Sequence, residues 1–439
     1  MKKRISISFI IVCLAALNAA ALEYDLSAYL HLVEQHNIDI ALAYRELLLS
    51  REQVKAARSP LLPGIGAEGS YTRNLQDMPR STAVASAPDG GPLVYQDVDS
   101  NYDNELSIGV GVTQKLFDPA AWTQYRQARK ALSLQEQVFE AARQNIRYAA
   151  KKLYAQTQLA LSALAIREAS EEASRALCQS AERKYRAGTV TELDLLMTEV
   201  DWKQKAAAVT EARRNAETAL LAFRQFAWIP FAEAVVLTEN SGQVPALPEL
   251  RSLDSSLSRR ADYRALLLSR ELADMGKKAA LSSFLPSVSA RFSFAYGGMG
   301  NDSLTGDSDY TATQLTLGVS IPIFAGGYRL SRARVAQIEQ ERASLALAKK
   351  QSDIESELIG IQLRLNEARE RIEAARLIEA SARRALALAQ TAFTNGLVTQ
   401  LSVTEAAKRL DEASLGLQSA VCEYRLAYYD WEVASGNVD

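Results

Sequence analysis

The sequence predicts a mixed fold of long α-helices and transmembrane β-strands, built as two tandem repeats with two strands each. Three observations carry this. First, YRAGTVTELDLL at 185–196 returns as FTNGLVTQLSVT at 393–404, so that Gly188, Val190, Thr191 and Leu193 match Gly396, Val398, Thr399 and Leu401 at one offset (396 − 188 = 208). Second, long Ala-rich stretches with apolar residues at helical spacing flank both copies. Third, four runs of about ten residues alternate with a period of two, the length of a tilted membrane strand. A single helix–Gly–helix turn would be unremarkable; two at a fixed offset imply internal duplication.

Residues 1–21 read as a secretory signal, with Lys2, Lys3 and Arg4 ahead of an apolar core at 5–17 and a small-residue cleavage site at Ala19, Ala20 and Ala21. The apolar run is too short to span a bilayer comfortably. Val12 precedes Cys13 where lipid attachment would call for a small residue, so lipidation is not expected. Segment 22–63 holds a helix read as 26–58, with Leu30, Val33, Ile38, Ala41, Tyr44 and Leu48 at helical spacing and Ser59-Pro60 as its stop. Segment 64–118 holds two strands. Ile65, Ala67, Gly69 and Tyr71 alternate with Gly66, Glu68, Ser70 and Thr72, and Leu106, Ile108, Val110 and Val112 resume the pattern after a polar loop at 74–103 rich in Pro79, Pro88, Gly90, Gly91 and Pro92.

Segment 119–226 is a helical hairpin with its tip near 188. Asp118-Pro119 starts the first arm. It runs to Arg186 without a glycine or further proline, about 68 residues or roughly 100 Å of helix. The return arm, 190–226, is about 37 residues or roughly 55 Å, and the helix at 26–58 has the length to make up the difference. At the tip, glycine supplies the left-handed residue that closes a helix, and the following threonine is an N-cap for the next. Segment 227–255, with Pro230, Gly242, Pro245 and Pro248, breaks the pattern and is expected to wrap the middle of the helices. The plan then repeats: a helix in 256–285 in register with the first at another offset (262 − 39 = 223), two strands in 286–324 around a loop at 297–310, and a second hairpin in 325–435 with its tip near 396.

Lipid tolerates no unpaired sheet edge, and four strands are too few for a useful barrel, so several chains must share one. A soluble β-domain also alternates. The secretory signal, the strand length and aromatics near strand ends (Tyr71, Phe117, Trp122, Tyr296, Phe324, Tyr328) favour the membrane. Small residues along the helices suit many closely packed helices. The formal net charge of −2 becomes about −5 once three basic residues leave with the signal, so no nucleic-acid partner is indicated. Cys178 and Cys422 sit at heights about 24 Å apart relative to their tips, too far for a disulfide, and are expected to be buried thiols.

The ordered double set of helix, LP-headed strand, loop, strand, F-[DA]-x-[AG], long helix and [YF]-x-x-G-x-[VT]-T tip resembles the TolC family of outer membrane factors over essentially the whole mature chain. The resemblance implies a homotrimer with a shared twelve-stranded barrel in outer membrane lipid of a diderm bacterium. It implies an α-helical coiled-coil barrel in the periplasm with 227–255 at its equator. It further implies the role of exit duct for a tripartite efflux pump or type I secretion system, fed by an inner-membrane transporter through a periplasmic adaptor. Carried over position by position, Gly188, Thr189, Val190, Gly396, Leu397 and Val398 would form the adaptor-docking tips. Asp194 and Glu405 match carboxylates that narrow the periplasmic end. Ser402 stands where an aspartate is familiar, and Val398 where some members carry a gating arginine, so the full ionic lock is not expected.

Chemistry of other kinds finds no footing. His31 and His36 are five apart, about 140° around a helix, and share no face for zinc. Asp302, Asp307 and Asp309 lack the spacing of a calcium loop. No phosphate loop or nucleophile elbow occurs, so no enzyme activity and no cofactor are expected. Two alternatives are a periplasmic adaptor and a structural coiled-coil protein of the envelope. An adaptor has one hairpin flanked by a lipoyl-like domain, and a plain coiled coil has no strands; two hairpins with four strands argue against both.

Overall fold

The computed structural model describes residues 22–76, 79–85, 93–99, 102–238, 244–248, 252–301, 303 and 308–437; the signal segment 1–21, loop residues Pro88, Gly90, Gly91 and Pro92, equatorial Gly242, and Asp302 and Asp307 lie outside them. The elements run β1 (Leu22–Tyr24), α1 (Leu26–His36), α2 (Ile38–Arg58), β2 (Gly64–Arg73), β3 (Pro79–Ala85), β4 (Val94–Asp99), β5 (Asn104–Phe117), α3 (Pro119–Arg186), α4 (Glu192–Ala227), β6 (Val235–Leu237), α5 (Leu253–Arg259), α6 (Ala261–Ser282), β7 (Ser287–Gly300), β8 (Ser308–Ser320), α7 (Tyr328–Thr394) and α8 (Gln400–Ala434).

Three expectations need correction. The helix at 26–58 is two helices, because Asn37 leaves the helix (ψ 126) and its Oδ1 accepts from the backbone N–H of Asp39 and Ile40 at 2.9 and 3.3 Å, capping α2. The loop 74–103 is not wholly irregular: β3 and β4 pair antiparallel within it. In the equatorial segment β6 pairs in parallel with β1, more than two hundred residues away in sequence, and α5 begins before the segment was expected to end.

The chain divides into two compact units. One comprises Glu46–Glu136 and Ala265–Ala348. It holds an antiparallel sheet in the order β2-β5-β7-β8, so the strands of the two repeats lie side by side. Register across it aligns Ile65, Val112, Phe292 and Leu315, and likewise Ala67, Val110, Phe294 and Thr313. That face is apolar and largely exposed: Ile65, Ile108, Val110, Phe292, Phe294, Leu315, Leu317 and Val319 all lack cover within the chain. The next rows present the opposite face. Gly66, Gly111, Ser293 and Gln314 align, as do Glu68, Gly109, Ala295 and Ala312, and Arg291 pairs with Glu68 at 3.4 Å. One face therefore suits hydrocarbon and the other water, the division a membrane barrel wall requires. Among the described residues β2 and β8 have no partner on their outer edges. Phe117, Trp122, Phe324 and Tyr328, near the strand ends, are exposed.

The other unit comprises Met1–Arg45, Gln137–Arg264 and Lys349–Asp439, and within it side-chain contacts join α3 to α4 and to α8, α4 to α8, and α7 to α8. Two apolar clusters anchor it. Tyr29 stacks on Phe223 (centroids 3.9 Å, 15°) beside Val33, Tyr154 and Ala227, and burial pushes the Tyr29 phenol well above its ordinary value. The second joins Ile361, Leu365, Ala368 and Ile372 of α7 to Ala420, Tyr424, Ala427 and Trp431 of α8. Between the hairpins the α3–α8 seam is polar: Tyr148 donates to Asp430, Lys151 pairs with Glu432 at 2.7 Å, and Arg425 donates to Gln158 at 2.5 Å. Cys422 is buried as expected, with its thiol pushed up to about 11, whereas Cys178 is only half-buried; both are free.

Candidate functional site at the two hairpin tips

Both tips close in the same way. The Thr189 N–H donates to Lys184 O and the Gly188 N–H to Tyr185 O, each at 2.9 Å; the Leu397 N–H donates to Ala392 O at 2.9 Å and the Gly396 N–H to Phe393 O at 3.0 Å. Gly188 and Gly396 have φ +71° and +72°. A Cβ at either would meet nothing within 4 Å, so backbone conformation and not space demands glycine there. The tips touch, with the Lys184 ammonium 5.0 Å from the centre of the Phe393 ring. Leu177, Val190, Asp194, Phe393, Thr399 and Gln400 line a small cavity between them.

The carboxylates just past the tips differ. Thr191 caps α4 by accepting from the Asp194 N–H at 3.2 Å, while Asp194 accepts from the Thr191 N–H at 3.3 Å and its hydroxyl at 2.7 Å. This reciprocal capping box gives Asp194 a structural task that the sequence reading missed, although the T-x-x-D spacing was its signal. At the second tip, Thr399 makes no side-chain cap, and its hydroxyl lies 3.3 Å from that of Ser402. Ser402 and Glu405 are exposed and line a different cavity, a groove between α7 and α8 walled by Arg371, Arg409, Glu412 and Glu423. Within one chain, then, the fold gathers Val190 and Asp194 with the second tip, and sets Glu405 apart from Asp194. Thr189, Leu397 and Val398 sit at the tips beside their glycines, Val398 half-buried.

A further polar cluster went unread. Lys205 of α4 lies 3.9 Å from Asp201 and 3.4 Å from Asp411 of α8, while buried Ser174 and Ser170 of α3 donate to those same carboxylates. Small hydroxyl residues in an Ala-rich stripe were the available signal. His31 and His36 bond only within their own helix, and no metal-holding cluster of His, Cys, Asp or Glu occurs among the described residues.

An open sheet with one lipid-type face, together with two long helical hairpins, defines the chain of an envelope channel protein. A family model described as outer membrane efflux protein matches residues 29–227 and 252–427, and the chain belongs to that family. Among known proteins it is similar to outer membrane protein TolC of Escherichia coli K12, 22% identical over 400 residues spanning 88% of this chain and 77% of that one. TolC of Vibrio cholerae is 20% identical over 442 residues, covering 100% and 96% of the two chains. The crystal structure of the Campylobacter jejuni CmeC outer membrane channel superposes with a TM-score of 0.76 at 19% identity, covering 94% of this chain and 85% of that one. The protein is an outer membrane exit duct with a large periplasmic helical part, and it is not an enzyme.

Proposed function

We propose that three copies close one channel, each giving four strands to a twelve-stranded barrel in outer membrane lipid and two hairpins to a periplasmic coiled-coil barrel. The observation that carries this is the sheet β2-β5-β7-β8, whose outer edges lack partners while one face exposes Ile65, Val110, Phe294, Leu315 and Leu317. Edges of that kind are intolerable in hydrocarbon unless another copy pairs with them. The helical segments 22–63 and 256–285, the hairpins 119–226 and 325–435, and 227–255 at the equator are then periplasmic, and the strand segments 64–118 and 286–324 cross the membrane. In this reading Gly188, Thr189, Val190, Gly396, Leu397 and Val398 meet a periplasmic adaptor that connects the duct to an inner-membrane transporter of an efflux or type I secretion system. Mass measurement in mild detergent tests the shared barrel: a trimer is expected, and a stable monomer would refute it.

Asp194 and Glu405 of three copies would ring the periplasmic end and favour cations. Because Ser402 and Val398 replace familiar partners, the closed state should conduct appreciably without adaptor. Planar-bilayer recordings of Asp194→Asn with Glu405→Gln, which keep the hydrogen-bonding shapes, should show weaker cation selectivity at low salt, where screening is least. Unchanged selectivity would put both carboxylates on the outer wall.

A further inference from the structure

The sheet face turned away from lipid is lined almost wholly by small residues. In the four rows that run from Tyr310 to Thr316 on β8, every position is Gly, Ala, Ser or Thr except Tyr310, Glu68, Gln314 and Arg291. Two of these long side chains lie over glycines of the neighbouring strand. Arg291 reaches across β5 to Glu68 at 3.4 Å, and its guanidinium passes 3.9 Å from where a Cβ on Gly111 would sit. Tyr310 lies closer still. A Cβ on Gly297 would stand 2.7 Å from the Tyr310 hydroxyl and nearer again to its Cε1 and Cζ, and Gly297 is buried beneath the ring.

Gly297 and Tyr310 are direct partners in the β7–β8 register. Paired Cα atoms of antiparallel strands are about 4.5–5.5 Å apart, so a ring whose far end rests on its partner's Cα leans along the sheet. Strand side chains ordinarily stand roughly perpendicular to it. Tyr310 can lean because Gly297 has no side chain; one row inward Ala312 faces Ala295, where a Cβ occupies the seat. This row lies toward the loop end of the sheet, since β7 starts beside α6 at Ser287 and reaches Gly297 ten residues on (297 − 287 = 10). Twelve strands about 4.8 Å apart and tilted by about 40° enclose a bore about 24 Å across between backbones. A tyrosine standing upright reaches about 6.5 Å from its Cα, so three at one level would cut the free radius by about half.

We infer that Tyr310 sets the bore of the barrel near its outer mouth, and that Gly297 is the positioning residue that keeps the ring against the wall and the bore wide. This rests on the three-copy barrel proposed above and adds which residue governs the width left to cargo at that level. With Gly297 as a seat, three rings line the wall and leave the bore free. Without it, each ring takes the upright posture of an ordinary strand side chain, and the same residue becomes an obstruction. Arg291 and Glu68 hold each other along the wall, and Gln314 is shorter and without a rigid ring, so Tyr310 is the side chain of these rows with most to take from the bore.

The test uses the full chain in the outer membrane with Cys178→Ser, leaving Cys422 buried. Ser293→Cys places a thiol on the lumen face two rows inward of Tyr310. Intact cells are treated with maleimides carrying polyethylene glycol of graded size, and the gel shift gives the largest chain that reaches the thiol. Gly297→Ala adds one methyl group; it should lower that limit about twofold in radius, and Tyr310→Ala in the same chain should restore it. Gly66→Ala, on the same face with open space around it, should leave the limit unchanged. N-ethylmaleimide, which is small, should label all of these alike. Should Gly297→Ala assemble poorly, Ala312→Tyr sets an unseated ring one row inward, opposite Ala295, and should lower the limit by itself. An unchanged limit in either variant, in trimers that N-ethylmaleimide labels, would overturn the role given to Tyr310. Failure of N-ethylmaleimide to reach Ser293→Cys in a chain that runs as a trimer in detergent would show that this face does not line the bore, ending the inference while the multi-copy reading survives. A monomer in detergent would end both.

Discussion

The two repeats solve the same local problem with different chemistry, and the hinge between their first helices shows it best. Asn37 and Arg260 occupy equivalent positions (260 − 37 = 223) with nearly equal backbones, φ −67°, ψ 126° and φ −69°, ψ 120°. Each reaches the carbonyl at the end of its own repeat's return helix: the Asn37 amide donates to Phe226 O at 3.0 Å, and the Arg260 guanidinium to Ala434 O at 3.4 Å (434 − 226 = 208). Asn37 completes its task with two hydrogen bonds to its own helix start. Arg260, buried, gathers Asp262 in a bidentate pair at 3.0 and 2.9 Å and Glu357 at 2.7 Å, and Lys350 joins Asp262 at 2.8 Å. The return helices end alike too. Trp228 and Gly436 are both left-handed, φ 56° and 69°, with matching bonds from Ile229 N–H to Arg224 O and from Asn437 N–H to Glu432 O. The lesson is that duplication preserved backbone geometry and the carbonyl to be satisfied, while the side chain that does so was free to drift from neutral to charged.

The comparison breaks most visibly at the hinge. Arg260→Ala removes the centre of a charged cluster: Glu357 loses its partner, and Asp262 keeps only Lys350. Because both carboxylates are partly exposed, the loss should fall near the lower end of the range for broken buried pairs, about 3 kcal/mol. Asn37→Ala should cost about 1–2 kcal/mol, the range for a lost cap. Thermal melts of the helical signal in detergent should rank the two in that order; equal costs would show that charge adds nothing at the hinge.

Next comes the left-handed pair. At Gly436 an added Cβ would lie 2.7 Å from the Arg259 Cβ and 3.1 Å from backbone, so Gly436→Ala incurs both strain and collision, roughly 2 kcal/mol. Trp228 already bears the left-handed strain as an exposed residue, and Trp228→Gly should gain about 1 kcal/mol in the same melts. A loss there would mean that the indole makes a contact in the assembly outweighing its strain.

At the tips the difference is smaller. Thr191→Ala should destabilise by about 1 kcal/mol through the capping box, and Thr399→Ala by a few tenths. Ser402→Asp should confer a capping box on the second tip and raise protection of its first-turn amides in hydrogen exchange, bringing it level with the first.

The smallest effect is pH-dependent. Burial pushes Asp262 up, but the bonds from Arg260 and Lys350 outweigh it and hold the carboxyl at about 2, below its ordinary 3.8. Its folded value is lowered, so its contribution to stability is complete above about pH 4 and is lost as pH falls through about 2. The carboxylate is more than a third exposed, so solvent screening keeps this modest. Asp262→Asn should flatten the acid limb of the stability profile; an unchanged limb would mean Arg260 acts through Glu357 alone.

Legibility in the sequence follows the range of the interactions involved. The long helix α3 was readable because a periodic run free of glycine, and of proline after Pro119, has one outcome, and it ends at Arg186 where the pattern places it; α8 ends at Ala434, with Gly416 inside it. The tip glycines and the alternating strand faces were readable because each is set within a few residues. The hinge at Asn37 was not, since nothing in its neighbours forbids helix and its partner, Phe226 O, lies 189 residues on. Asp194 is the opposite case: its capping partner Thr191 is three residues away and was legible in the T-x-x-D spacing.

By itself the sequence determined two repeats, four strands with one lipid-type face, two long hairpins and their turns. Local sterics and hydrophobic period act over one or two turns of chain and set the element type there. Only the tertiary structure decided that β5 pairs with β7 and joins the repeats in one sheet, that β1 pairs in parallel with β6, and that Lys205 bridges Asp201 and Asp411. Those choices rest on which side chains reach the same height on elements far apart in the chain. Closing such long loops is entropically costly, so the pairing belongs to the packed whole and leaves no periodic trace in any one segment.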